Sequence, residues 1–145
     1  MQGFHEVEHK GDVALEIFAE TLDQLFFQAV RAFYSVLLPD IDWERRKKSG
    51  RALEITVKED TAESALISLL NELNFLFSVK KIMAWPVERI FLNRNSFFEI
   101  KMVARRIKVP LDWLANATEI KAVTYHEVHI EHQAGQYKVR LIFDL

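Results

Sequence analysis

The segment 119–145, EIKAVTYHEVHIEHQAGQYKVRLIFDL, decides how the rest of the chain is interpreted. It predicts two strands, Glu119–Ile130 and Gln136–Asp144, joined by a short polar turn that contains Gly135. Apolar residues occupy alternate positions of the second strand, which is typical of a strand with one face in a core. These residues are Tyr137, Val139, Leu141 and Phe143. The sequence therefore predicts a hairpin whose second strand ends at Asp144.

Two amphipathic helices are indicated by apolar residues that recur every three or four positions. Thr21, with Gln24 three residues later, has the form of a capping box, so the first helix is expected to begin there. Pro39 ends it. Asp60 followed by Glu63 is a similar signature for the start of the second helix. The polar residues within the second helix are interpreted as its solvent edge, and they are Asn71, Glu72 and Asn74.

Four more strands are indicated by alternation of apolar and polar residues, after a short polar N-terminus. They cover residues 13–20, 51–59, 82–92 and 97–107. Pro86 indicates that the start of the strand 82–92 lies at a sheet edge or in a bulge. The polar segment 40–50 is interpreted as an exposed loop, and 108–118 as a loop with at most one helical turn. Two helices on one face of a mixed or largely antiparallel sheet form an α+β two-layer sandwich.

The composition is that of one globular domain spanning residues 1–145. Half of the residues are hydrophobic, and 19 Lys and Arg nearly balance 21 Asp and Glu, which argues against a protein that coats nucleic acid through charge alone. The absence of cysteine excludes thiolate catalysis, disulfides and cysteine-based metal sites. With no signal-peptide pattern and no membrane-spanning run, we expect a cytoplasmic protein.

The sequence lacks the common enzymatic signatures. With 4 glycines it has no glycine-rich phosphate-binding loop, and no Gly-x-Ser-x-Gly or His-Glu-x-x-His motif occurs. His126 and His132 are an even number of residues apart and would lie on the same face of a strand, where a pair of histidines can bind zinc. The turn predicted near Glu131, however, takes His132 off the strand. The neighbouring Val128 and Ile130 indicate partly buried surroundings for His126. The absence of these motifs argues against a self-sufficient enzyme, and a free-standing metal hydrolase is disfavoured because no residue stands out as nucleophile or general base.

Carboxylates at two strand ends form a different candidate metal site. If strands 13–20 and 136–144 are antiparallel neighbours, the start of one lies beside the end of the other. Asp12 would then meet Asp144 and the carbonyl or terminal carboxylate of Leu145. Three hard oxygen ligands without sulfur favour calcium, magnesium or manganese. The alternative is that these aspartates only terminate strands, as Asp commonly does.

Two polar clusters have both a functional and an ordinary interpretation. Lys121, Thr124, Tyr125 and His126 are dense in hydrogen-bonding groups, which indicates either a functional surface or the polar edge of a sheet. The basic run 45–48 could contact RNA phosphates or an acidic partner, or could simply be a solvated loop.

Several stretches in combination resemble the archease family over nearly the whole chain. They are His9-Lys10-Gly11-Asp12-Val13, the helix 22–37, Leu70-Asn71-Glu72-Leu73 with Phe75-Leu76-Phe77, the block 118–126 that ends in Tyr125-His126, and Phe143-Asp144-Leu145. The chain departs from the family at Lys10-Gly11, where Thr-Ala is usual, and at Ala117, where Gly is usual. It also has Arg105-Arg106-Ile107 where a Gly-Glu pair is frequent.

The resemblance implies a two-layer α/β sandwich and an accessory role to GTP- and manganese-dependent RNA ligases of the RtcB type. Such a protein promotes guanylylation and multiple turnover of the ligase in tRNA splicing and RNA repair, contacting RNA only indirectly or weakly. A divalent cation, most often calcium, is implied at Asp12, Asp144 and Leu145. The implied partner surface comprises His9, Lys121, Thr124 and His126. The alternative is a general protein-binding or chaperone module for nucleic-acid-modifying enzymes, and the oligomeric state stays open.

Overall fold

A computed structural model describes residues 1–7, 12–46 and 48–145. The elements in chain order are β1 (Gly3–Val7), β2 (Val13–Ala19), α1 (Leu22–Leu37), β3 (Arg51–Glu59), α2 (Ala62–Ser78), β4 (Ile82–Arg94), β5 (Phe98–Lys108), α3 (Leu111–Asn116), β6 (Ala122–Val123), β7 (Glu131–Gln133) and β8 (Gln136–Asp144). This confirms the α+β class predicted from the sequence. The candidate His9, the departure Lys10-Gly11 and Lys47 of the basic run lie outside the described residues.

The strands form two sheets in which every described pair is antiparallel. In the first, β1, β2 and β8 lie side by side, and both β6 and β7 pair with the remaining edge of β8. The second has the order β3–β5–β4. The sequence predicted one sheet and did not predict β1. The five residues of β1, GFHEV, do not alternate between apolar and polar, and two of them are exposed at the sheet edge.

Both main helices begin at a threonine whose hydroxyl caps the first turn. Thr21 Oγ1 accepts from the backbone N–H of Gln24 at 3.3 Å, as the capping box predicts. For α2 the cap is Thr61, which accepts from the N–H of Ser64 at 3.0 Å, so the predicted start at Asp60 is one residue early. In the described part of the chain, no helix is long and apolar enough to cross a membrane.

The helices share one core with the two sheets. α1 contacts β1, β2, β4 and β8, while α2 contacts β3, β4, β5 and β6. The prediction that 40–50 is simply an exposed loop is wrong at Trp43, which is 4% exposed. The Trp43 ring packs against the rings of Tyr34 and Trp85, with centroids 5.6 and 4.9 Å away. An aromatic ring of this size is buried here because two distant elements provide apolar partners.

The predicted continuous strand 119–130 is also wrong, since only β6 within it is a strand. Val123 pairs with Phe143 and Glu131 pairs with Lys138, so the seven residues 124–130 lie opposite only four residues of β8, 139–142. The three additional residues cannot stay in the ladder, and the chain leaves the edge of β8 in a turn. The segment 124–130 is therefore a connection outside the ladder, with half-buried residues at positions 124, 128 and 130.

Candidate functional site

The two aspartates predicted to bind a cation lie at adjacent strand ends. β2 and β8 pair antiparallel with Val13 opposite Phe143, which confirms the strand arrangement on which the prediction depends. Asp12 lies just before β2, and the same register continued by one residue would set it across from Asp144. Directly opposite residues of an antiparallel pair project to one face with Cβ atoms about 5 Å apart. We call Asp12, Asp144 and Leu145 the carboxylate corner; binding of an ion there stays a prediction.

The carboxylate corner lies at an accessible edge of the first sheet. Asp144 is exposed, Leu145 is 40% exposed and Asp12 is half-buried. On the other side of β8, Ala122 pairs with Asp144, and the Lys121 N–H donates to the Asp144 carbonyl at 2.8 Å. Asp144 is therefore fixed between the start of β2 and the start of β6.

The donor set at this corner consists of oxygen atoms. Within residues 1–7, 12–46 and 48–145, no three His, Cys, Asp or Glu side chains are grouped to hold a metal ion. A cation at the corner would therefore have two carboxylates and would need main-chain oxygen, such as that of Leu145, as a third ligand. Such a set fits calcium, magnesium or manganese and does not fit zinc or copper.

Two asparagines of α2 hold the segment that carries the predicted partner surface. Asn71 Nδ2 donates to the Val123 carbonyl at 3.0 Å, and the Val123 N–H donates to Asn71 Oδ1 at 2.9 Å. Asn74 Nδ2 donates to the Ile120 carbonyl at 2.8 Å. The interpretation of these asparagines as a solvent edge is wrong, because Asn74 is 8% exposed and both bind backbone. They supply partners to backbone groups that strand pairing leaves unsatisfied.

The turn after β6 is anchored to α2 as well. Ser68 Oγ donates to Glu59 Oε1 at 2.8 Å, and the Tyr125 hydroxyl lies 2.9 Å from Ser68 Oγ. Because serine has a single hydroxyl proton, the Tyr125 hydroxyl is the donor in the second bond. At the far end, the Ile130 N–H donates to Glu63 Oε2 at 3.1 Å. Side chains of β3 and α2 thus fix both ends of the connection 124–130.

The predicted surface residues occupy different environments. Lys121 is exposed and bonded to the Asp144 carbonyl through its backbone N–H, and the Thr124 N–H donates to the Ile142 carbonyl at 3.0 Å. Thr124 Oγ1 is buried, with no hydrogen-bond partner among the described residues. The prediction of partly buried surroundings for His126 is wrong, because its side chain is 75% exposed and lies 3.5 Å from Glu127. The structure therefore groups Lys121 and Thr124 with the end of β8 and sets His126 on the turn.

The whole length of this fold matches one protein family. Residues 4–145 match the model of the archease protein family. The chain belongs to the archease family. It is 30% identical over 145 residues to the archease of Methanosarcina mazei, covering 98% of this chain and 95% of that protein. It is 25% identical to an archease-like protein of Dictyostelium discoideum, covering 100% of this chain and 95% of the relative.

Two solved archease structures share the fold. The solution structure of Methanobacterium thermoautotrophicum protein 1598 superposes with a TM-score of 0.75 at 20% identity, covering 99% of both chains. The crystal structure of a Thermotoga maritima archease, described as a possible chaperone, gives 0.58 at 24% identity and covers 96% of this chain and 94% of that one. At these identities the likeness concerns the fold.

Asn71 and Asn74 are the site residues that the sequence interpretation missed in this archease. A usable signal existed for Asn74, which lies four residues after Leu70 and three before Phe77, both of them buried. These spacings put Asn74 on the apolar stripe of α2, where a polar side chain needs a hydrogen-bond partner. No comparable signal identified that partner as the backbone at Ile120, which is 46 residues away.

Proposed function

We propose that this archease is an accessory protein of a GTP- and manganese-dependent RNA ligase of the RtcB type, and not itself an enzyme. It promotes guanylylation and repeated turnover of the ligase in tRNA splicing or RNA repair. The observation that carries the proposal is the pairing of Val13 with Phe143, which makes the ends of β2 and β8 neighbours. Membership of the archease family supports the coarser role, that of a protein acting on a partner.

In this proposal Asp12, Asp144 and the main-chain oxygen of Leu145 hold a divalent cation. Calcium takes six to eight oxygen ligands, so three ligands from one chain leave positions for other oxygens. When bound, the ion supplies positive charge at an exposed acidic edge. Carboxylate or phosphate oxygens of the ligase complex would then complete its coordination, which couples ion binding to partner binding.

The surface next to the corner supports the same role. Lys121 has its backbone bonded to Asp144 and its side chain in solvent, so it offers a cation beside the carboxylates. The rigid attachment of this segment to Asn71 and Asn74 keeps that cation close to the corner. Thr124 belongs to this segment through its backbone, and His126 extends the surface along the turn.

The alternative role, a general docking or chaperone module, would use the loop 43–51 or the helical face. In that loop the Arg46 guanidinium lies 5.4 Å from the Trp113 ring centroid, and Lys48 Nζ lies 2.6 Å from Glu88. Both cations are thus engaged within the chain, which reduces their availability to an acidic partner or RNA. The description of the Thermotoga relative as a possible chaperone keeps this alternative open.

Multiple-turnover RNA joining by a cognate ligase tests the proposal. Wild-type protein should raise the amount of product beyond one ligation per ligase, and Asp144→Asn should lose most of that effect. Asp42→Asn, which removes an exposed carboxylate in the 40–50 loop, should stimulate like wild type. Absence of stimulation by the wild type, or full stimulation by Asp144→Asn, would contradict the proposal. Loss of stimulation in Arg45→Glu/Lys48→Glu, with the corner intact, would favour the alternative.

A further inference from the structure

The strand β3 presents a long, regular and unpaired edge. All nine of its residues pair with β5 in continuous register, from Arg51 opposite Arg106 to Glu59 opposite Phe98. No described strand pairs with its other edge. The opposite edge strand, β4, contains Pro86 and breaks in register, which are common protections against strand addition. β3 has neither protection, so its outward backbone groups are available along its length.

A groove follows this edge. It has a volume of about 440 Å³ and lies between β3 and one side of α2, where Ser68, Glu72 and Leu76 form the second wall. Half-buried apolar side chains line it from both walls, and they are Leu53, Val57 and Leu76. A strand added at the edge would gain main-chain hydrogen bonds and cover this apolar surface, the two contributions that drive β-augmentation.

We propose that β3 of a second copy of this chain occupies the edge, in antiparallel pairing around a two-fold axis at Ile55. In this register Ile55 lies opposite Ile55 of the second copy, Leu53 opposite Val57, and Arg51 opposite Glu59. Because directly opposite residues share a face, these pairs line the side of the sheet that carries the buried Ile55. The symmetry produces each unlike pair twice, as an isologous interface requires.

Charge and apolar pairing together favour this register over its neighbours. A slip of two residues in one direction removes the Arg51–Glu59 pairs and sets Glu54 opposite Glu54. A slip in the other direction replaces these pairs by two Glu54–Lys58 pairs but sets each Leu53 opposite Glu59. Parallel pairing in register would set Arg51 beside Arg51. On the other face of the sheet, away from Ile55, the proposed register also sets no like charges directly opposite one another. There Ala52 faces Lys58 and Glu54 faces Thr56.

Sedimentation equilibrium with charge-swapped variants tests the interface. Wild type should show a reversible monomer–dimer equilibrium. Arg51→Glu and Glu59→Arg should each raise the dissociation constant of the dimer roughly tenfold, because each sets like charges opposite one another twice. The double variant Arg51→Glu/Glu59→Arg should restore the wild-type dissociation constant. A wild type that stays monomeric at about 1 mM, a concentration adequate even for small interfaces, would overturn the proposal. Single variants that dimerise like wild type, or a double variant that does not recover, would do the same.

Distance measurement between spin labels tests the register itself. The chain has no native cysteine, so Ala52→Cys introduces one label site per copy, at an exposed position of β3. Ala52 would lie six residues along the strand from its counterpart, which separates the two attachment points by about 20 Å. A slip of two residues would change this distance by about 7 Å. A narrow distribution near 20 Å is expected, and a clearly different distance or none would overturn the proposed pairing.

Discussion

Asn71 on α2 and Val123 in β6 are joined by two hydrogen bonds, through which the side-chain amide takes the place of a further strand. The amide donates to the Val123 carbonyl at 3.0 Å and accepts from the Val123 N–H at 2.9 Å. β6 is only two residues long, so strand pairing alone holds it weakly. The asparagine therefore extends the sheet with a side chain and keeps the segment next to Asp144 in position.

Replacing Asn71 by alanine should lower the free energy of unfolding by roughly 2 kcal/mol, because it leaves two backbone groups of Val123 without partners. Val123 is 1% exposed, so water cannot easily replace the amide. Glu72→Ala, at the adjacent exposed position, is the matched control and should change the free energy by less than about 0.5 kcal/mol. Urea unfolding measures both. Equal effects of the two substitutions would show that the amide does not stabilise the segment.

Tyr34→Phe should lower the free energy of unfolding by about 1 kcal/mol, because the Tyr34 hydroxyl accepts a hydrogen bond from the buried Ala84 N–H at 3.0 Å. Burial raises the pKa of Tyr34 well above its usual range, although the Ala84 N–H acts in the opposite direction. Because burial favours the neutral phenol, the folded state keeps its full stability below the unfolded pKa of about 10 and loses stability as the pH rises through the folded-state pKa.

Ultraviolet absorbance of phenolate checks this behaviour. Tyr34 should ionise together with alkaline unfolding, because it is fully buried, so Tyr34→Phe should remove the absorbance increment of one tyrosine from the unfolding step. Ionisation of Tyr34 before the loss of near-ultraviolet circular dichroism would contradict the expected burial.

Glu88→Gln should reduce stability at neutral pH and have little effect in acid. The Lys48 ammonium at 2.6 Å, aided by Arg105 at 2.8 Å, holds the pKa of Glu88 below its usual range, against partial desolvation. A lowered folded-state pKa means that the stabilisation is present above the unfolded pKa of about 4.3 and is lost as the pH falls through the folded value.

Denaturant unfolding at pH 7 and at about pH 3 compares the two proteins. The difference in the free energy of unfolding between wild type and Glu88→Gln should shrink toward acid pH, where Glu88 is protonated in both states. It should also shrink at high salt, because this partly exposed cluster is screened by ions. A difference that is the same at every pH would mean that the ion pairs do not contribute.

The parts of the fold that the sequence predicted well are those governed by local interactions. Thr21 caps α1 through a contact three residues away, and the strand 51–59 alternates without interruption, so short windows of sequence were sufficient.

The parts that were predicted wrongly depend on distant partners. Trp43 is buried because Tyr34 and Trp85 lie beside it, and nothing within the loop itself indicates this. Alternation in the block 119–130 predicted a strand, but a three-residue excess relative to β8 forces most of it out of the ladder. The adjacency of the β2 and β8 ends could be predicted, because it requires only that the two strands be antiparallel neighbours.

Titration of calcium and manganese by calorimetry tests the central claim most directly, namely that the carboxylate corner binds a divalent cation. Wild type should bind one ion per chain, and Asp12→Asn and Asp144→Asn should each weaken binding by roughly 10- to 100-fold. Asp42→Asn should bind like wild type, and circular dichroism should show that all three variants remain folded. The account would be contradicted by a wild type without saturable binding of either ion, or by Asp12→Asn and Asp144→Asn binding it unchanged.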